Sequence, residues 1–169
     1  MSSEKAKVII GLCNPKSPSN VGSVMRAAGC FSADAVRYTG ERFDRAVKYH
    51  TDTHDFKSKI PLNQCDDLFD ELPLGCQVVC VELVVGATPL PQFQHPNNAM
   101  YVFGPEDGST SQAIVDKADH VVYVPTTGCM NLAASVNVLL YDRLSKAGTE
   151  LDNTLVFNNR DVNNRLCVK

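Results

Sequence analysis

The sequence predicts an α/β fold: a single domain with a mostly parallel sheet and helices on both faces. Three observations carry this. Short β-branched runs alternate with segments whose apolar residues recur at i, i+3, i+4 and i+7. Each strand-like run is nearly continuous in apolar character, as strands covered on both faces are. The polar, Gly- and Pro-rich stretches 14–20, 82–88, 104–109 and 125–131 each follow such a run, where ligands bind in parallel sheets.

In chain order, residues 7–13 (KVIIGLC) form the first strand, closed by Asn14-Pro15 and Pro18. Ser19 is positioned to cap a helix whose stripe is Val21, Val24, Met25 and Ala28. A strand follows over 35–38. The stretch 40–62 is polar, basic and aromatic and carries no assignable period. A short helix at 66–71 precedes a strand at 77–83, and 99–103 is a further apolar strand ended by Gly104-Pro105. Ser109 and Gln112 make an S-x-x-Q capping box for the next helix. A strand at 120–124 stops at Pro125. The last long helix spans 131–146, with Leu132, Val136, Leu139, Leu140 and Leu144 on one side. One domain therefore covers 1–169, with its core at about 8–146 and an Asn-rich tail at 147–169.

Composition sets limits on function. Hydrophobic residues are 44% and charged ones 21%, with 10 Gly and 9 Pro, which excludes a disordered polyelectrolyte and a collagen-like repeat. The seven cysteines form no metal-ligand or disulfide pattern, and the four histidines match neither a metal spacing nor a hydrolase triad. A reducing compartment, the cytoplasm, and no metal are expected. No apolar stretch approaches the ~18 residues of a membrane span, and MSSEKAK has no apolar core behind its charges. The net charge of −3 is uneven: residues 1–60 hold ten Lys/Arg against six Asp/Glu, and the remainder is acidic. A basic third suits an anionic partner, although such an excess is common by chance.

Three loops bear candidate chemistry. In Asn14–Gly29 (NPKSPSNVGSVMRAAG), Arg26 lies four residues after Gly22 and three before Gly29, a long cation over small residues. It is either a phosphate-binding fork or a solvated surface charge. In GPEDGST, Glu106 and Asp107 precede a helix start, where carboxylates are favoured on structural grounds alone. A phosphate loop is rejected there, since the Lys of GxxxxGK[ST] is missing and two acids repel phosphate. In PTTGCMN, Asn131 stands where a helix cap would, and Cys129 has no base at hand to make it a nucleophile.

Together and in this order, the segments resemble the SpoU-type (TrmH-like) RNA 2′-O-methyltransferases of the SPOUT superfamily. N-x-G-x-x-x-R is matched by Asn20-Val21-Gly22-Ser23-Val24-Met25-Arg26, and F-G-x-E-x-G by Phe103-Gly104-Pro105-Glu106-Asp107-Gly108. The third motif is matched by Val124-Pro125, Gly128, Cys129-Met130-Asn131 and Leu132-Ala133-Ala134, with Cys129 in place of the usual Ser and a shorter turn. The resemblance implies a C-terminal trefoil knot, a rare exception to unknotted chains. It implies an enzyme that transfers a methyl group from S-adenosylmethionine to a ribose 2′-OH of structured RNA, tRNA or rRNA. Leu83, Gly104, Val124, Pro125, Cys129, Met130 and Leu132 would hold the cofactor. Arg26 would act as base or phosphate clamp, Asn20 would position the Arg or the ribose, Glu106 would orient the Arg or line the pocket, and Asn131 would hold ribose or cofactor. It further implies a homodimer whose site is completed across the interface. The alternative is a non-catalytic RNA-binding relative with the same fold. RNA would meet the basic, aromatic segment 37–59, with Tyr38, Phe43, Tyr49 and Phe56, unless those aromatics pack a surface loop.

Overall fold

A computed structural model of the chain describes residues 6–48, 60–148 and 150–168. Among these, seven parallel strands form one sheet in the order β3-β2-β1-β6-β4-β7-β5. The strands are β1 (Val8–Leu12), β2 (Ala35–Tyr38), β3 (Leu62–Gln64), β4 (Gln77–Val81), β5 (Thr88–Pro89), β6 (Ala99–Phe103) and β7 (His120–Tyr123). The helices are α1 (Pro18–Cys30), α2 (Arg42–Val47), α3 (Gln112–Lys117), α4 (Leu132–Lys146) and α5 (Asn153–Asn159). The α/β class, the parallel sheet and the single domain are as the sequence predicts.

Side-chain alternation divides the core between two faces. Val8, Ile10, Leu12, Tyr101 and Phe103 point to the face covered by α1 and α4, joined by Val21, Val24, Val136 and Leu139. Ile9, Met100 and Val102 point to the other, under Leu68, Phe69 and Ile114. Each of β1 and β6 is buried along its whole length, which is why their sequences show no alternation.

Several boundaries differ from the sequence reading. The cap of α1 is Ser17, whose side chain accepts the Asn20 N–H, and Pro18 sits in the first turn rather than in the loop. Proline fits there because its missing N–H is one the helix leaves unpaired in any case. The cap of α3 is Ser111, not Ser109, because the Thr110 N–H is held by Glu82 and the chain stays extended two residues longer. Residues 66–71 form turns rather than a helix: the Asp67 carboxylate accepts the Phe69 N–H at 2.9 Å, a local bond that competes with the helical ladder. β4 ends at Val81, so Glu82 and Leu83 belong to the loop. The stretch 40–62, which carries no assignable period, contains α2, and β3 begins at its last residue. α5 lies in the tail.

β7 is inserted between β4 and β5, both earlier in the chain. The loops after β1, β6, β4 and β7 thus leave the same edge of four neighbouring strands.

Candidate active site

The loop after β1 opens α1, and the free N–H groups there attract negative charge. The carboxylate that meets them comes from the loop after β6. Glu106 accepts the Lys16 N–H at 2.9 Å and the Ser17 N–H at 3.0 Å. Neither acid of GPEDGST caps the following helix, which Ser111 serves. Instead Glu106 ties the second motif to the first. Burial opposes its ionisation, but the N–H groups of Ser17 and Lys16 and the Asn20 amide outweigh that, holding its carboxyl below the usual range.

From Glu106 a chain of amides leads to the third motif. The Asn20 Nδ2 donates to Glu106 at 3.3 Å, and the Asn131 Nδ2 donates to the Asn20 Oδ1 at 3.0 Å. The Asn131 Oδ1 accepts the Ala133 and Ala134 N–H groups, capping α4. Every orientation is determined: helix N–H groups can only donate and an ionised carboxylate can only accept, so both amides must point one way. The structure brings Asn20 of the first turn of α1 together with Glu106 and Asn131, which lie 86 and 111 residues further along the chain. Asn131 is both the helix cap and a member of this chain, so the two readings of it coincide.

Beside this chain lies a cavity of about 270 Å³. Leu83, Gly104, Val124, Cys129, Met130 and Leu132 line it, with Glu106 and Asn131 at its edge. Pro125 is exposed next to Val124 and does not line it. Gly104 is needed here: a Cβ would stand 2.9 Å from the Thr110 nitrogen and 3.0 Å from a Glu82 carboxylate oxygen. Glu82, Tyr123 and Ser135 also line the cavity and escaped the sequence reading. The signal for Glu82 was its place at the head of the post-strand stretch 82–88, from which only Leu83 was singled out.

Arg26 stands apart. Its side chain is exposed and forms no hydrogen bond or ion pair with any other described residue. Six helical positions separate it from Asn20, which rotates the two side chains about 120° apart on α1. Within one subunit it does not line the cavity.

The described part of the basic, aromatic segment, 37–48, is mostly engaged internally. Tyr38 and Phe43 are buried and meet edge to face at 5.1 Å, with the Tyr38 hydroxyl donating to Asp44. They are core residues, not stacking platforms. Arg37 donates to the Asp70 and Glu71 carbonyls, and Arg45 pairs with Glu41. Arg42 forks onto Asp107 with its two Nη atoms at 2.9–3.1 Å, pinning the second motif from its far side. Tyr49 and Phe56 lie outside the described residues.

The SpoU rRNA Methylase family model matches residues 7–141. The chain belongs to this family. The family accounts for the three collinear motifs and for the loops they occupy. The fold is similar to that of the SpoU methyltransferase AviRb from Streptomyces viridochromogenes in complex with AdoMet (17% identity, TM-score 0.67), covering 86% of this chain and 62% of that one. It is also similar to a structure described as giving insight into 2-OH methylation of C/U34 on tRNA (18%, TM-score 0.68, 86% and 93% covered). A third is the A. aeolicus TrmH/SpoU tRNA modifying enzyme (16%, TM-score 0.62, 83% and 75%). The chain therefore spans about three fifths of the length of AviRb. No functionally curated protein matches the sequence.

Proposed function

We propose that this SpoU-family chain is an S-adenosylmethionine-dependent RNA methyltransferase that modifies a ribose 2′-OH of structured RNA, tRNA or rRNA, as a homodimer in the cytoplasm. The observation that carries the reading is the Glu106–Asn20–Asn131 chain, which joins the start of α1 to two loops that line one cavity.

The cavity's walls fit the cofactor. Leu83, Val124, Met130 and Leu132 offer apolar surface to a purine, and its volume is near the lower end of the roughly 300–1,000 Å³ of small-molecule sites. Its described lining carries two carboxylates and no Lys, Arg or His, which suits a cationic molecule. When bound, S-adenosylmethionine supplies an electrophilic methyl group whose bonding pair stays with the sulfur as it becomes neutral. The chain's part is placement, since a ribose hydroxyl is a weak nucleophile that gains most from in-line alignment. Asn20 and Asn131 present oriented amides to the ribose or cofactor, and Glu106 holds Asn20 in place. Arg26, unengaged among the described residues, clamps an RNA phosphate or draws the hydroxyl proton, reaching a cavity across the dimer.

The exposed apolar side chains of α4 (Val138, Tyr141) and α5 (Leu155, Val156, Phe157) support a dimer. The proposal includes the trefoil knot, supported by the insertion of β7 between β4 and β5. The seven unpaired cysteines suit a reducing compartment. Incubation with methyl-labelled cofactor and total RNA, with Arg26→Ala alongside, tests the reading. Label is expected in RNA with the wild type and to fall sharply with the variant. No transfer, or equal transfer, contradicts it.

A further inference from the structure

One acid in the cavity is not explained by the three motifs. Glu82 is the first residue past β4, which lies between β6 and β7, so it emerges in the middle of the converging loops. Both of its oxygens are tethered. Oε2 accepts the Thr110 N–H at 3.0 Å, and Oε1 accepts the Leu83 N–H at 2.9 Å. Oε2 also lies against Gly104, where a Cβ would come within 3.0 Å of it. The carboxylate is thus fixed at the cavity wall, and each oxygen keeps a second lone pair for a ligand.

Charge decides what this group can do. The two acids of the described lining are Glu82 and Glu106; the lining holds no Lys, Arg or His, and Arg42, behind it, stands 3.8 Å from Glu106 and not against Glu82. Glu106 is engaged by the start of α1 and by Asn20. Among the described residues, Glu82 has only two neutral amides as hydrogen-bond partners. Such a carboxylate raises the affinity for a cation and leaves that for a neutral molecule of the same shape almost unchanged. The methyl donor and its product, S-adenosylhomocysteine, differ by one methyl group and one positive charge. A compact cavity of about 270 Å³ is about as wide as the roughly 8 Å screening length of physiological salt. The ligand's charge is therefore felt by Glu82 wherever in the cavity it sits.

We propose that Glu82 makes the cavity prefer the charged methyl donor to its neutral product, so that spent cofactor exchanges for fresh after each transfer. This rests on the reading that the cavity takes S-adenosylmethionine.

The test is calorimetric titration of the full chain with S-adenosylmethionine and with S-adenosylhomocysteine, for the wild type, Glu82→Gln, Glu82→Asp and Glu150→Gln. The last removes an exposed acid of the tail that does not line the cavity. The wild type is expected to favour the methyl donor, and Glu82→Gln to shift the ratio of the two dissociation constants about tenfold toward the product. Glu82→Asp is expected to keep the preference and Glu150→Gln to leave it unchanged. Equal weakening of both ligands by Glu82→Gln would overturn the proposal and make the carboxylate a neutral acceptor or loop tether. A wild type that binds both equally would overturn it too, whereas one that binds neither would overturn the cofactor reading itself. If Glu82→Gln fails to fold, a salt series on the wild type decides. Rising salt narrows the donor-to-product ratio if charge sets it, and an unchanged ratio refutes the proposal.

Discussion

Replacing Glu106 with Gln removes a charge without changing shape. The carboxylate accepts three N–H groups: Lys16 on Oε2, and Ser17 and Asn20 on Oε1. A Gln has one accepting oxygen, so it retains one side of this arrangement and loses the other. The bonds it keeps become neutral. Bonds to a charged group contribute roughly 1.5–3 kcal/mol against about 0.5–1.5 for neutral ones. The Glu106 side chain is only 15% exposed, so solvent screens little of this, although the Lys16 amide lies toward water. Glu106→Gln should therefore cost about 2 kcal/mol at neutral pH. With a urea slope of about 1–3 kcal/mol per molar, the midpoint falls by about 1 M. The loss depends on pH in a stated direction. The folded state holds the Glu106 pKa below its ordinary 4.5. Its contribution is therefore complete above that value and disappears as pH falls through the lower folded one. Urea titrations of both proteins from about pH 7 down to about pH 3.5 should show curves that converge on the acid side. A midpoint change within error at neutral pH, or a gap that persists unchanged into acid, would refute the account of Glu106.

Three further outcomes follow from the same structure. Asn131→Ala removes the α4 cap, at about 1 kcal/mol; a Tm drop of roughly 2–4 °C is expected by calorimetry, together with weakened cofactor binding. Gly104→Ala drives a Cβ into the Thr110 nitrogen and the Glu82 carboxylate, so titration should show cofactor binding lost while the melting curve stays cooperative; intact binding would mean this wall is not used. The third concerns His95, whose ring nitrogens meet the Tyr101 hydroxyl at 2.7 Å and Asp142 at 2.8 Å. Burial keeps its pKa below the ordinary 6.5 despite Asp142, with Arg143 and Lys146 adding to the depression. The unfolded chain thus takes up its proton first, and stability falls as pH drops below about 6.5. His95→Gln should flatten that slope in urea midpoints measured against pH, and identical slopes would contradict it.

What could be read from the sequence follows from where the physical signal sits. β6 and β2 are contiguous apolar or half-buried runs between breakers, and their boundaries were legible to the residue. The stripe of α1 was legible because Val21, Val24, Met25 and Ala28 all face the core. Caps were harder. Two serines stand close together at the start of each of α1 and α3, and the choice between them is made by Pro18 in one case and by the distant Glu82 in the other. The helix expected at 66–71 failed because Asp67 offers its neighbours a competing bond. α2 and β3 are too short to show a period.

At the site, motif spacing identified Asn20, Glu106 and Asn131, but local reasoning misassigned the job of Glu106. Its partners are 89 and 90 residues away, and no window of sequence contains both ends. Tyr38 and Phe43 looked like a stacking surface because an aromatic beside a basic residue carries no label for burial. Arg26 is exposed on the open side of α1 and engages no other described residue, so its role rests on the motif alone.

The most direct measurement is the chemical identity of the product. RNA incubated with the wild-type protein and methyl-labelled S-adenosylmethionine is digested to nucleosides and resolved by mass spectrometry. The account predicts that the added methyl resides on the ribose, as a 2′-O-methylnucleoside. It further predicts that this product falls strongly with Arg26→Ala and with Asn20→Ala while cofactor binding survives the former. Methyl found on a base, or 2′-O-methylation undiminished without Arg26 and Asn20, would contradict it.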